Sequence, residues 1–293
     1  MTEWFYPRKS APEGDWELSV GAAGSSVQVD GWQHTGIKVA ATAPGQTLGL
    51  PAAAEERFIV PLTSAFDVAV DGVKHHLRGR ANPFAGPTDV LYIGIGKAVV
   101  ITSAGVGRVA VATAPATVAY PTTLIRAEDT AVELRGNGAT SREVHNFGMV
   151  GKSQADKIMV CEVITPAGNW SSYPPHKHDR LSDQENLLEE IYYYEVRSRN
   201  PSAKDDDPMG FQRVSSTDER PIDIATEVRS GDLVLVPYGW HGPSMAMPGY
   251  DLYYLNVMAG PGERAWKVTV AAGPSWVPES LKSEPIDPRL PLK

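Results

Sequence analysis

With 293 residues, of which 42% are hydrophobic, the chain is long enough for two domains or one large β assembly. Its net charge of −8 excludes the broad positive surface with which proteins bind nucleic acid or an anionic membrane. The single cysteine, Cys161, excludes an intramolecular disulfide and a cysteine-rich zinc site.

Short segments with strand character dominate the first half of the chain. Residues 1–20 combine aromatic, proline and charged side chains and are predicted to form an extended surface arm. The predicted strands that follow are Ser26–Val29, Gly36–Ala41, Thr47–Leu50, Glu56–Pro61, Ala65–Val70, Val90–Gly94, Ala98–Ser103, Arg108–Thr113 and Ala116–Tyr120. Turn signals separate these strands at roughly 8–12 residues, which is typical of a β-sandwich or β-barrel.

A polar segment, Glu128–Arg142, is predicted to join this half to a second series of strands. These strands are Phe147–Gly151, Met159–Ile164, Ile191–Val196, Gly210–Ser215, Ile222–Val228, Asp232–Pro237, Leu252–Met258 and Ala265–Ala271. The insertion Asp179–Glu189 is predicted to form a short helix or a lid, because Ser182 is a suitable helix N-cap.

The strongest candidate for a functional site lies in the second half. His176 and His178 are one residue apart, so on a strand both imidazoles point to the same face. Glu190 stands at the head of a predicted strand, and His241 follows the turn-like string VPYGW. Three imidazoles and one carboxylate suit a divalent cation such as Zn²⁺, Mn²⁺, Ni²⁺ or Fe²⁺.

A histidine pair of this spacing is, by itself, more often solvated or hydrogen-bonded than metal-bound. Here the clustering of three of the seven histidines with a carboxylate favours metal binding. The first half has no such pair, because His75 and His76 are adjacent and would point to opposite faces of a strand. We therefore interpret the two halves as two versions of one β fold. In this interpretation the segment that begins at Asp89 in the first half corresponds to the segment that begins at Glu190 in the second. One version has a competent site and the other is degenerate.

Several long motifs resemble the 5-deoxy-glucuronate isomerase family of inositol catabolism. They are GNWSSYPPHKHD at 168–179, LEEIYYY at 188–194, GDLVLVP at 231–237, PGYDLYYLNVMAGP at 248–261 and FAGPTDVLY at 84–92. The resemblance covers essentially the whole chain and implies an all-β bicupin, two tandem β-barrel or jelly-roll cupin domains with few short helices. We expect a degenerate N-terminal domain over residues 1–140 without a metal site and a catalytic, metal-binding domain over 141–293.

The resemblance implies that His176, His178, Glu190 and His241 hold a divalent metal ion, with Zn²⁺ as the first choice. Eleven residues, 179–189, separate His178 from Glu190, which is more than in general cupins. Glu185 and Glu189 are therefore rival ligands. Glu189 has the opposite strand parity to Glu190. Glu185 would have to reach from the insertion, and the family match favours Glu190.

The activity implied is the isomerisation of 5-deoxy-D-glucuronate, an aldose acid, to 2-deoxy-5-keto-D-gluconate, a ketose acid. A metal would stabilise charge on the carbonyl oxygen, and an arginine would bind the substrate carboxylate. The candidate substrate contacts are Arg142, Arg213, Arg264 and Tyr254. For each arginine the alternative is a surface ion pair, and for the tyrosine it is core packing.

Three other functions stay open at this point. They are the related 4-deoxy-5-keto-uronate isomerase of pectin degradation, an iron dioxygenase on the same barrel, and a non-catalytic sugar-binding bicupin. Residues 1–18 contain no apolar signal region, and the most apolar stretch, Val90–Tyr120, is interrupted by Lys97 and Arg108. We expect a cytoplasmic homo-oligomer whose partner is a small sugar acid, with no nucleic-acid or membrane partner.

Overall fold

The computed structural model describes residues 3–21, 27, 29–200, 202–203, 206–273 and 276–292. Across these residues the strands of the first half are β1 Phe5–Tyr6, β2 Leu18–Gly21, β3 Gly36–Thr42, β4 Thr47–Leu50, β5 Glu55–Val70, β6 Val73–Arg80, β7 Val90–Ile93, β8 Val99–Ser103, β9 Gly107–Pro115, β10 Thr123–Ile125 and β11 Ala131–Arg135. Those of the second half are β12 Arg142–Gly148, β13 Met159–Thr165, β14 Trp170–Ser171, β15 His176–Lys177, β16 Glu189–Ser198, β17 Gly210–Ser215, β18 Asp223–Val228, β19 Leu233–Val236, β20 Trp240–Ala246, β21 Tyr250–Ala259 and β22 Thr269–Val270. Two 3₁₀ helices, Ala127–Asp129 and Gly138–Thr140, and one α-helix, α1 Trp276–Lys282, complete the elements of the described chain.

The strands form three sheets. A nine-stranded sheet contains β2 to β10, with the order β10-β7-β5-β9-β3-β2 along its main path. A seven-stranded sheet has the order β1-β19-β16-β21-β13-β12-β11, and a six-stranded sheet contains β14, β15, β17, β18, β20 and β22. The all-β prediction is therefore confirmed. In the part of the chain that the structure describes, no helix has the length and apolar content needed to cross a membrane.

Three apolar cores follow from this arrangement. One fills the interior of the first half and includes Phe66, Leu77 and Val111. Another lies between the seven-stranded and six-stranded sheets and includes Tyr192 and Tyr194. The largest lies between the two halves and joins side chains of both. Alternation along β16 therefore directs Tyr192 and Tyr194 into the second half, and Ile191 and Tyr193 toward the first.

The boundary predicted at residue 140 stays a prediction, and two strands on its N-terminal side belong to the second half's sheet. β1 pairs with β19, and β11 pairs with β12. The predicted surface arm thus begins with a strand of that sheet, and its last part, β2, is buried. The segment Glu128–Arg142, predicted as a polar connection, contains β11.

Other predicted elements need correction. Glu56–Pro61 and Ala65–Val70 are one bent strand, β5, whose register shifts on either side of Ser64. β6 and β20 were not predicted. The insertion forms no helix, because Ser182 Oγ caps only the local turn to Glu185. Within the predicted strand Ala265–Ala271 the pairing is confined to β22, and the predicted strand Ser26–Val29 lies partly outside the described residues.

The two halves are related strand by strand, which changes the proposed alignment between them. β5 pairs with β7 and β9 as β16 pairs with β19 and β21. Arg57 is opposite the last residue of β7, and Glu190 is opposite the last residue of β19. The counterpart of Glu190 is therefore Arg57. Our interpretation that Asp89 stands in its place was wrong, because Asp89 precedes β7 and corresponds to Asp232.

Candidate metal centre and adjoining cavity

Four side chains, three from strands and one from an adjoining loop, meet at one end of the second half. His176 lies on β15 directly opposite His241 on β20, His178 follows β15, and Glu190 is the second residue of β16. One ligand atom from each lies within 4.8 Å of the others. Glu190 Oε2 is 2.8 Å from His178 Nε2 and 3.1 Å from His241 Nε2. The structure thus brings together the four residues predicted as ligands.

The hydrogen bonds of the imidazoles leave their inner nitrogens available for a cation. The Nδ1 atoms of His178 and His241 lie 3.1 and 3.0 Å from the carbonyl oxygens of Leu188 and Gly239. If Nδ1 donates these bonds, Nε2 carries the free lone pair of a metal ligand. Among the described residues, the buried Nε2 atoms of His176 and His241 have no partner with hydrogen-bond geometry, although that of His241 lies 3.1 Å from Glu190 Oε2. Buried polar atoms rarely lack partners, and a divalent cation would satisfy both.

The electrostatics of the cluster agree with this fit. Burial lowers the pKa of His176 well below its ordinary value, and the neighbouring His241 lowers it further. Burial alone would raise the pKa of Glu190, but the adjacent His241 and His178 outweigh it and hold the carboxylate ionised. Burial alone would lower the pKa of His178, but the hydrogen bond and the charge of Glu190 outweigh it and raise that pKa.

The two rival carboxylates are engaged elsewhere. Glu189 points to the opposite side of β16, where its oxygens accept hydrogen bonds from the backbone N–H groups of Gln33, His34 and Thr35. Glu185 accepts hydrogen bonds from the ammonium group of Lys177, at 2.7 and 2.9 Å. Of the three candidate carboxylates, only Glu190 reaches the cluster.

A cavity of about 280 Å³ adjoins the four residues. His176 and Glu190 form part of its wall, and Arg142 and Tyr254, two of the predicted substrate contacts, line it as well. Arg135 also lines it. Arg135 was missed because its segment was predicted as a polar connection rather than as β11. The complete lining is Arg135, Arg142, Val144, Met149, Cys161, Val163, Ser172, Tyr173, Pro174, His176, Glu190, Tyr192, Tyr254, Asn256, Met258, Trp266, Val268 and Val270.

The polar groups of this wall are neutral or cationic apart from Glu190. Burial raises the pKa of Tyr254 to about 12, although hydrogen bonds with Ser171 and Ser172 oppose the shift. Burial lowers the pKa of Arg142, and the charge of Arg135 lowers it further. Among the described residues, Arg142 makes one side-chain hydrogen bond, from Nη1 to the carbonyl oxygen of Thr140 at 3.1 Å. Its other donors are therefore available to an anion in the cavity.

The other two predicted arginines do not line this cavity, and their prediction as substrate contacts needs correction. Arg213 is bonded to the backbone carbonyl oxygens of Val214 and Ile224 and paired with exposed Asp223. Arg264 donates to the carbonyl oxygens of Gly148, Ser153 and Ile158, at 2.7 to 2.9 Å. Both guanidinium groups thus stabilise the fold.

The corresponding position of the first half has different chemistry. The guanidinium of Arg57 is buried and donates to Glu55 Oε1 at 2.9 Å, to the carbonyl oxygen of Lys97 at 3.0 Å and to that of Pro51 at 2.7 Å. A fixed positive charge therefore lies where the second half has Glu190. The apolar core of the first half fills the interior around it.

Comparison with known proteins connects the chain to one family. The sequence profile of the KduI/IolB family matches residues 5–277. A 5-deoxy-glucuronate isomerase of Geobacillus kaustophilus is 39% identical over 260 residues, which are 85% of this chain and 88% of that protein. The protein of the same name from Halalkalibacterium halodurans is 44% identical over 194 residues, 66% of this chain and 68% of its own length.

Solved structures agree with this result. An IolB-like protein of Salmonella typhimurium LT2 superposes with a TM-score of 0.82 at 33% identity, covering 94% of this chain and 98% of that one. Oxalate decarboxylase of Bacillus subtilis matches with a TM-score of 0.56 at 11% identity, over 85% of this chain and 76% of its own. At that identity the likeness concerns the fold alone, and it confirms the predicted bicupin class.

Proposed function

The chain belongs to the KduI/IolB family, and from this we propose that it is a 5-deoxy-glucuronate isomerase. It converts 5-deoxy-D-glucuronate, an aldose acid, into 2-deoxy-5-keto-D-gluconate, a ketose acid, as a step of inositol catabolism. Curated relatives of that name are 39% and 44% identical to it. The observation that supports this function best is the convergence of three imidazoles and Glu190 beside a cavity that also contains Arg142.

His176, His178, Glu190 and His241 are the residues that would hold the metal. Neutral imidazoles and one carboxylate fit Zn²⁺ first, while Mn²⁺, Ni²⁺ and Fe²⁺ accept the same donors. When bound, a divalent cation supplies Lewis-acid polarisation of the substrate's carbonyl oxygen.

The remaining cavity residues bind and orient the substrate. Arg142 would form a charge-assisted hydrogen bond with the substrate carboxylate, and the nearby Arg135 adds a second positive charge. The hydroxyl of Tyr254 contacts the sugar chain as a neutral donor, because its raised pKa keeps it protonated at neutral pH. In this proposal the carboxylate end of the substrate lies toward the arginines and the carbonyl end toward His176 and Glu190.

The cellular setting follows as a further part of the proposal. A cytoplasmic location agrees with the single cysteine, whose thiol is buried. A homo-oligomer is the assembly that we expect of a large bicupin. Sedimentation of the purified protein would test it.

Incubation of the purified, metal-loaded protein with 5-deoxy-D-glucuronate, followed by NMR of the product, tests the function. We expect the ketose acid and no oxygen uptake. The family profile also carries the name KduI, so 4-deoxy-5-keto-uronate is the second substrate to assay. Faster turnover of that substrate would indicate an isomerase of pectin degradation, and oxygen consumption would indicate a dioxygenase instead.

A further inference from the structure

The insertion Asp179–Glu189 is anchored by a buried ion cluster centred on Lys177. Lys177 lies between the two histidines of the metal site, and its side chain points away from the cavity. Its Nζ is 2.7 Å from Asp179 Oδ1 and 2.7 Å from Glu185 Oε1. The three charged residues are each no more than 6% exposed. Asp179 Oδ2 also accepts a hydrogen bond from Gly239 N at 3.1 Å, two residues before His241.

The insertion in turn holds a second segment, residues 263–270, which we name the lid segment. Thr269 Oγ1 donates a short hydrogen bond to Glu185 Oε2. Asn186 N donates to the carbonyl oxygen of Lys267 at 3.0 Å. The side-chain amide of Asn186 donates to the carbonyl oxygens of Glu263 and Ala265, both at 2.9 Å. Four hydrogen bonds thus fix the lid segment to the insertion at several points along its length.

The lid segment covers the metal site. The indole ring of Trp266 packs 5.8 Å from the ring of His176 and 5.6 Å from that of His178, measured between centroids. Trp266 is 39% exposed, so one side of the indole faces solvent while the other contacts the imidazoles. Val268 and Val270 continue the cavity wall. The segment therefore covers one side of the ligands and forms part of the cavity wall.

We propose that Lys177 is a positioning residue for the reaction. It fixes the insertion, and the insertion fixes the lid segment. Trp266 is thereby held closed over His176 and His178. Lys177 touches neither the substrate nor the metal. Its ammonium group holds Asp179 and Glu185 in the geometry that the lid bonds require. The long insertion between His178 and Glu190 thus has a task, which is to carry the lid.

The expected changes in kcat and KM rest on the proposed function. The expected change in the rate of metal release does not, so it tests the role of Lys177 independently. The test uses the full-length Zn²⁺-loaded protein and the variants K177M, W266A and the double variant K177M/W266A. The rate of Zn²⁺ transfer to an excess of a chromogenic chelator and the kcat and KM for 5-deoxy-D-glucuronate are measured for each. R180M is the matched control, because it removes a cation of the same insertion that forms an exposed ion pair with Glu219.

We expect K177M and W266A each to raise the metal-release rate and the KM by about tenfold or more, with a smaller loss in kcat, because misplacing a closing element exposes the site. Since Lys177 acts through Trp266, the double variant should match W266A alone. R180M should behave like the wild type. Effects that multiply in the double variant, or a K177M protein with unchanged metal release and KM, would overturn the proposal.

K177M leaves Glu185 buried without its cation and Asp179 with only the longer contact to Arg220, at 3.5 Å, and is therefore expected to fold poorly. T269V removes only the hydroxyl that joins the lid segment to Glu185, so the pair T269V and T269V/W266A tests the bond through which Lys177 is proposed to act, with the ion cluster intact. A wild-type protein that binds Zn²⁺ but does not convert 5-deoxy-D-glucuronate would refute the proposed function. The metal-release comparison would still decide the role of Lys177.

Discussion

Replacing Arg142 by methionine removes the positive charge that we assign to the substrate carboxylate. The guanidinium of Arg142 lines the cavity and makes a single hydrogen bond, to Thr140, within the described chain. A hydrogen bond to a charged partner is worth about 1.5–3 kcal/mol, which corresponds to a roughly 10- to 150-fold change in an equilibrium constant. We therefore expect kcat/KM for 5-deoxy-D-glucuronate to fall by about that factor, mainly through KM, with the metal content unchanged.

A neutral substrate analogue separates this interaction from a general disturbance of the cavity. The aldose 5-deoxy-D-glucose has a hydroxymethyl group in place of the carboxylate, so R142M should convert it about as slowly as the wild type does. R213M is the matched control, because Arg213 is paired with Asp223 and does not line the cavity. Equal losses on the acid and on the neutral sugar, or an equal loss in R213M, would refute the assignment.

Three further predictions concern the metal content, the interface between the halves and the cavity. Native mass spectrometry should find one divalent ion per chain, because buried Arg57 occupies the position equivalent to Glu190; two ions would contradict this equivalence. His145, fully buried, lies 2.7 Å from Glu143 and 2.9 Å from Glu162, and these carboxylates raise its pKa although burial alone would lower it. The stability that protonated His145 contributes to the fold is therefore present below its unfolded pKa of about 6.5 and is lost as the pH rises through its folded pKa. We expect H145Q to lower the free energy of unfolding in urea by about 3 kcal/mol at pH 6 and by less at pH 9. An equal difference at both pH values would contradict it. Finally, Y254F should lower kcat/KM by about tenfold and leave the bound metal in place; an unchanged kcat/KM would remove Tyr254 from the substrate contacts.

Part of the candidate ligand set could be predicted from strand geometry, whereas the choice of Glu190 over Glu185 and Glu189 came from the family resemblance. Two histidines one residue apart share a face wherever the backbone is extended, and the parity of Glu190 also directs Tyr192 and Tyr194 inward. The structure bears out that parity, which places both tyrosines in the core of the second half. The same periodicity predicted the strands Thr47–Leu50 and Gly210–Ser215 with their observed bounds.

The substrate contacts were harder to predict because the partner of an arginine depends on tertiary structure. Arg264 and Arg142 both follow polar stretches, yet one binds three carbonyl oxygens and the other lines the cavity. Arg135 was missed because β11 is short and its Glu133 and Arg135 resemble a solvated connection. The counterpart of Glu190 in the first half was misplaced for a similar reason, since only strand pairing reveals that Arg57 occupies the position.

Metal content and turnover of H176A, measured together, test the central claim most directly, since His176 is one of four side chains proposed to hold a catalytic cation. H76A is the control, because His76 is an exposed histidine of the first half that pairs with Asp67. We predict that the wild type and H76A each contain one divalent ion and convert 5-deoxy-D-glucuronate, whereas H176A loses most of both. An H176A protein with wild-type metal content and wild-type turnover would contradict the account.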